Sequence, residues 1–387
     1  MFGFSSKDIL TAMAAVTLAI FSPVAILVAL ACLTYGPLYY WGAALLLLVP
    51  GLFPLLVMKK KKKIYLLVLG GTVLALLLTS GIANGIKRYE DSFIIDTSPN
   101  INLQEYLPFD ENSKIVKLDG SLSLTEDLPV VDGAAAVFPV YSAFVNAVYP
   151  HTVALNDGVF EYNNTVVGYE KLAEKETDIF FGAKPSEEQV AYAEEQGTTF
   201  TYTQIGWEAF VFFVHKDNPV DSLTVEEIKG IYSGKITNWK EVGGHDEEIV
   251  AYQRNEGSGS QSMMLRFMDG TPLMEPDKKE VVGFMGGIIE KVADYKSRSE
   301  SIGFSFRYYV EGIIRNPEIK VIAVDGVAAT KENVGNGSYP IVTPLYAVTY
   351  AENENENVDR LLEWVLSEEG QYIIEETGYV GLGNKRE

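Results

Sequence analysis

The chain has 387 residues, 47% of them hydrophobic, and a formal net charge of −21 at pH 7. That length suffices for two or three domains with sizeable cores. Charge is unevenly spread: residues 1–86 hold six lysines and one acid, Asp8, whereas 87–387 hold 25 basic and 51 acidic residues, and so acidic a surface excludes nucleic acid as a partner.

The first 86 residues contain three apolar runs, at about 9–33, 38–58 and 64–86. Each is long enough to cross a bilayer. The first link, 34–41, carries Gly36, Pro37 and the interfacial aromatics Tyr35, Tyr39, Tyr40 and Trp41. The second link is five consecutive lysines, 59–63. The positive-inside rule places those lysines in the cytoplasm, which puts the N-terminus inside and everything after about residue 87 outside. The sequence therefore predicts a three-helix transmembrane region over 1–86, a multi-pass protein of the cell membrane held in the lipid bilayer, and an extracellular C-terminal domain.

Residues 87–112, with Pro99 and Pro108 and no sustained period, read as a linker. Residues 113–387 read as one extracellular domain. Pro129-Val130-Val131 is a short strand ending at Asp132-Gly133, and the small residues 134–136 lead into a helical pattern at Tyr141, Phe144, Val145 and Val148. Such a βα step brings helix N–H groups to a strand's carboxyl end. Asn163-Asn164-Thr165 opens a second helix, and 177–183 is a strand running into a loop. Ser186 with Gln189, and Thr224 with Glu227, are capping boxes. Residues 200–204 and 209–215 are two strands rich in β-branched and aromatic residues. Strand patterns follow at 249–252 and 320–324, a strand or turn at 301–306, and amphipathic helices at 358–366 and 371–376. Strands alternating with helices predict an α/β fold with mixed sheets.

Chemistry concentrates at Arg254-Asn255-Glu256-Gly257-Ser258-Gly259-Ser260. Glycines let the backbone turn tightly and approach a ligand. The start of the following helix offers free N–H groups and the positive end of its dipole. Arg254 adds a fork of donors suited to an oxyanion, and Glu256 is expected to pair with Arg254 and orient it. The one cysteine, Cys32, leaves no intrachain disulfide and no Cys-based metal site. The three histidines, His151, His215 and His245, are far apart in sequence. No catalytic residue, metal or cofactor is assigned.

In this order the motifs resemble the phosphate-binding-protein family, the substrate receptors of bacterial phosphate ABC importers, over about 125–382. Asn218-Pro219-Val220 through Thr224 and Ile231-Tyr232-Ser233-Gly234-Lys235 through Trp239 carry the likeness, together with the Arg254 loop, Ser301-Ile302-Gly303-Phe304, and Glu369-Gly370-Gln371 through Val380. The resemblance implies a two-lobed type II periplasmic-binding-protein fold with the ligand in the cleft. One lobe would be about 113–205 plus the C-terminal part, the other about 206–305. It implies ligand contacts from Arg254, Ser258, Gly259 and Ser260 on one lobe, and from the N–H groups of Val137 and Phe138 and the hydroxyl of Thr165 on the other. Two positions depart from the family pattern. Val137 replaces a threonine, and Ala183 replaces the carboxylate that accepts the proton of hydrogen phosphate. With Ala183 the filter against fully ionised anions is missing. The implied function is to bind phosphate or a related small oxyanion and deliver it to an ABC permease. The alternative is a sensing or protein-interaction module on the same fold.

Overall fold

The structure, a computed structural model, describes residues 102–276, 280–283, 285–294 and 300–383. Two compact units divide the chain, Met1–Phe93 and Ile94–Glu387, and every described residue belongs to the second. The strands are β1 (Val131–Gly133), β2 (Ile179–Gly182), β3 (Phe200–His215), β4 (Ser222–Leu223), β5 (Val250–Ala251), β6 (Gln253–Arg254), β7 (Val281–Val282), β8 (Ser301–Phe306), β9 (Ile319–Val321), β10 (Ala323–Val324) and β11 (Val342–Tyr350). The helices are α1 (Phe138–Val148), α2 (Asn164–Ala173), α3 (Glu187–Glu195), α4 (Val225–Tyr232), α5 (Gly259–Met268), α6 (Met285–Ala293), α7 (Lys331–Gly335), α8 (Glu356–Leu366) and α9 (Glu368–Thr377).

Seven strands form one sheet in the order β1-β2-β11-β3-β8-β5, with β9 also paired to β3. Parallel and antiparallel pairings mix: β1 and β2 run parallel, and β11 is antiparallel to both β2 and β3. β3 is the spine. Its first half pairs with β11 and its second half with β8 and β9. The two strand segments expected at 200–204 and 209–215 are therefore one continuous strand. Gly206 and Trp207 carry it across by pairing with Leu345 and Pro344. A Cβ on Gly206 would stand 2.8 Å from the Val380 carbonyl oxygen, so the C-terminal segment lies directly over this crossing.

Two hydrophobic cores flank the crossing. The first joins α1, α2, β2 and the start of β3 to β11, α8 and α9, with Phe138, Phe144, Phe180, Leu345, Trp364 and Ile374 among its buried members. The second is built mainly from residues between Ala209 and Ile341, including Phe212, Tyr232, Met264, Ile288 and Phe304, with Ala136 and Val380 joining it. Local sequence explains the packing. Along α8, Val358, Leu361, Leu362 and Val365 recur at helical spacing and are all buried, while acidic residues face outward. Both expected capping boxes form, Ser186 with Gln189 and Thr224 with Glu227.

A correction applies to the expected fold class. The two-lobed α/β fold with mixed sheets is present, but no transmembrane helix precedes it among the described residues: none of their helices is long and apolar enough to cross a membrane. The spans expected over 1–86, and the multi-pass topology drawn from them, lie outside the described residues. The physical reason is that helices of this α/β domain bury one stripe against a sheet and keep the opposite face charged, as α8 does.

Candidate functional site

The site begins where β6 ends. β6 runs parallel to β7, with Arg254 in register with Val282. The chain then turns through Gly257 at a φ of 73°, and Ser258 caps α5 by accepting the Gln261 N–H. Arg254 is 7% exposed. Its Nε donates to the Val282 carbonyl at 2.9 Å and one Nη to the Gly283 carbonyl at 3.0 Å. The other Nη reaches Ser260 Oγ at 3.4 Å. A guanidinium has five N–H donors, so two remain for a ligand. Among the described residues no carboxylate pairs with this cation. Burial pushes its pKa down to about 10, opposed only by Tyr309 and Tyr162.

Glu256 does not take the orienting role expected of it. It is exposed and makes no ion pair with Arg254 among the described residues. The backbone of β7 and Gly283 supplies the acceptors instead, because the guanidinium turns inward under the loop. Gly259 and Ser260 are the first residues of α5, so their N–H groups have no intrahelical partner.

The facing lobe is organised by Asp132, which is fully buried at the end of β1. Its carboxylate accepts N–H bonds from Gly133 at 2.7 Å and Asn163 at 3.0 Å, and one from Asn163 Nδ2 at 3.0 Å. Burial raises its pKa, and these bonds act in the opposite direction. Asn164 follows in the left-handed region at a φ of 61°, a conformation asparagine tolerates. Thr165 is thereby set against α5: a Cβ on Gly259 would lie 3.5 Å from Thr165 Oγ1 and 4.0 Å from Ala183 Cβ. Val137 and Phe138 are placed nearby, but their N–H groups are bonded to the carbonyls of Ala134 and Ala135.

Two side chains bridge the lobes beside the site. Gln189 Nε2 donates to the Gly257 carbonyl at 3.2 Å and reaches the Thr165 carbonyl at 3.5 Å. Arg266 on α5 donates to the carbonyls of Lys184 at 3.0 Å and Pro185.

Two spaces result. One, about 320 Å³, is lined by Arg254, Asn255, Ser258, Gly259, Thr165, Tyr162 and Tyr309 among others. The second, about 20 Å³, is lined by Val137, Thr165, Ala183, Gly259 and the carboxylate residue Glu208. Thr165 and Gly259 border both. Ser260 is fully buried behind Arg254, and Phe138 is fully buried and borders neither.

The model of the PBP superfamily domain matches residues 129–369. The chain belongs to the PBP superfamily. This PBP-superfamily chain is similar to the phosphate-binding protein PstS of Borreliella burgdorferi, 25% identical over 296 residues that cover 75% of this chain and 96% of that protein. The PstS of Staphylococcus epidermidis is 29% identical over 231 residues, covering 57% of this chain and 69% of that one. Among solved structures it is similar to one described as a phosphate ABC transporter substrate-binding protein with bound phosphate from Clostridium perfringens. That match has 27% identity and a TM-score of 0.52, over 67% of this chain and 99% of that chain. The resemblance to phosphate-binding receptors read from the motifs is borne out.

Several residues of the site escaped the sequence reading. Gln189 reads only as a helix cap, which it also is. Tyr162 adjoins Asn163-Asn164-Thr165, and that adjacency was the available signal. Tyr309 opens a π-helical turn, Tyr309–Ile314, and nothing local in the sequence points to it.

Proposed function

We propose that this chain is the substrate receptor of an ABC importer for a small oxyanion, with phosphate as the default ligand. One observation carries the reading: Arg254 is a buried cation without a carboxylate partner among the described residues, with two donors left over. A buried charge of that kind is costly until an opposite charge arrives. The N–H groups of Gly259 and Ser260 at the start of α5 add a second attraction for the same anion. The names of the relatives, PstS and phosphate ABC transporter substrate-binding protein, supply phosphate and the transporter as ligand and partner.

In this reading Arg254, Ser258 and Gly259 hold the anion from the second lobe, with Ser260 bracing Arg254 from behind. Thr165 brings its hydroxyl from the first. Val137 and Phe138 serve as wall and support, and donate only if the turn at 134–138 rearranges. The lobes join at Gly206 and at the entry to β11. Closure is secured by Gln189 and Arg266, and the loaded receptor works outside the cytoplasm, where an importer collects its substrate. Isothermal titration of the full chain with phosphate, together with co-purification of a permease, tests the proposal. Saturable 1:1 binding that brings a permease with it is the expected result; the absence of binding by any tetrahedral oxyanion refutes it.

A further inference from the structure

Resting on that reading, we infer that the Arg254 cavity takes an oxyanion carrying a polar organic substituent, a phosphate monoester or a phosphonate, in preference to the bare ion. Size is the first argument. The space between Val137, Ala183 and Gly259 is about 20 Å³, room for roughly one water. It also has the Glu208 carboxylate on its border and does not include Arg254, so an anion is disfavoured there on charge as well. The cavity that Arg254 lines is about 320 Å³, at the lower end of the roughly 300–1,000 Å³ of small-molecule sites.

Chemistry is the second argument. The same cavity is lined by two phenols, Tyr162 and Tyr309, both close enough to Arg254 to interact with its charge. Tyr309 is 1% exposed. Among the described residues neither hydroxyl has a hydrogen-bond partner, so each has a donor available to a ligand in the cavity. Burial raises both phenols above their usual pKa, Tyr162 to about 12, so both remain neutral donors at physiological pH. The rest of the lining includes an apolar wall of Ala135, Val166 and Val167. A bare ion on Arg254 leaves that wall in contact with water. A short substituent covers it and offers oxygens to the two hydroxyls. Tyr309 is held by a π-helical turn, an irregularity that recurs at functional sites.

The test is isothermal titration of the full-length chain with inorganic phosphate, glycerol 3-phosphate and 2-hydroxyethylphosphonate. At least one substituted anion is expected to bind ten-fold or more tightly than inorganic phosphate, and which of the two does so separates the monoester from the phosphonate source. Tyr162→Phe and Tyr309→Phe should each weaken that ligand about 3- to 10-fold, the loss of one hydrogen bond, and weaken inorganic phosphate by a smaller factor. Ala135→Leu, which fills the cavity, should act in the same selective way. Inorganic phosphate binding as tightly as both substituted anions overturns the inference and leaves the receptor reading standing. So does an equal loss for all three ligands in the tyrosine variants. Failure of every oxyanion to bind removes the receptor reading itself, and this inference with it.

Discussion

Replacing Arg254 by methionine separates what the cation does for the fold from what it does for the ligand. Burial lowers the guanidinium pKa from 12.5 to about 10. At 1.36 kcal/mol per pKa unit, the ligand-free domain carries about 3 kcal/mol of unfavourable charge burial at neutral pH. The three donors committed to Val282, Gly283 and Ser260 offset this by about 1 kcal/mol each, which leaves the ligand-free cation close to break-even. Methionine keeps much of the volume and removes the charge, so the ligand-free melting point should stay unchanged or rise; swapping buried ionic groups for apolar ones is often neutral or stabilising. Ligand binding should respond in the opposite direction. Removing one partner of a buried charge pair costs about 2–5 kcal/mol, roughly a 30- to 4,000-fold rise in Kd. Thermal unfolding without ligand and isothermal titration with it read the two effects separately. A variant that melts far below the parent, or binds oxyanions within three-fold of it, would refute the assignment of Arg254 as an uncompensated cation awaiting an anion.

Other changes test the frame around the site. Glu208 is 3% exposed, lies 3.5 Å from Arg307, and accepts the N–H groups of Ala209 and Tyr308; Glu208→Ala should cost about 3–5 kcal/mol in denaturant unfolding, as removal of one partner from a buried pair does. Burial raises the Glu208 pKa above 4.5, so between the unfolded and folded values the native state binds more protons than the unfolded chain. Its contribution to stability is present below pH 4.5 and falls as pH rises toward the folded value; Glu208→Gln should flatten that slope in pH-dependent melts. Gln189→Leu removes the bonds to Gly257 and Thr165 and should weaken ligand binding about 3- to 10-fold, with small-angle scattering showing a more open particle. Gly206→Ala drives a methyl to 2.8 Å from the Val380 carbonyl and should destabilise the chain by about 1–3 kcal/mol, as overpacking does.

How much was legible follows from how local each signal is. The capping boxes at Ser186 and Thr224 were readable because a cap is settled by residues three apart, and both form. The start of α5 at Gly259 was readable for the same reason. The strand β11 was not read. Its residues, such as Pro344 and Tyr346, become a central strand only through β2 and β3, more than 130 residues earlier in the chain. The same limit applies at the site. The sequence places Glu256 two residues from Arg254, yet the guanidinium is held by carbonyls 28 and 29 residues away. Chain proximity suggested the wrong partner because a parallel strand, absent from any local pattern, delivers the right one.

Every group that grips Arg254 comes from its own half of the domain, namely Val282, Gly283, Ser260 and Gln261. The cation-bearing half therefore exists complete before the Thr165 half closes on it. Under the proposed receptor reading, that separation predicts an order of events. An anion meets a finished landing point first, in a step that depends on its concentration, and the swing of the other half follows at a rate that does not. The chain's net charge of −21 repels the approaching anion at long range. Added salt, by screening that repulsion, should make the first step faster and leave the second alone.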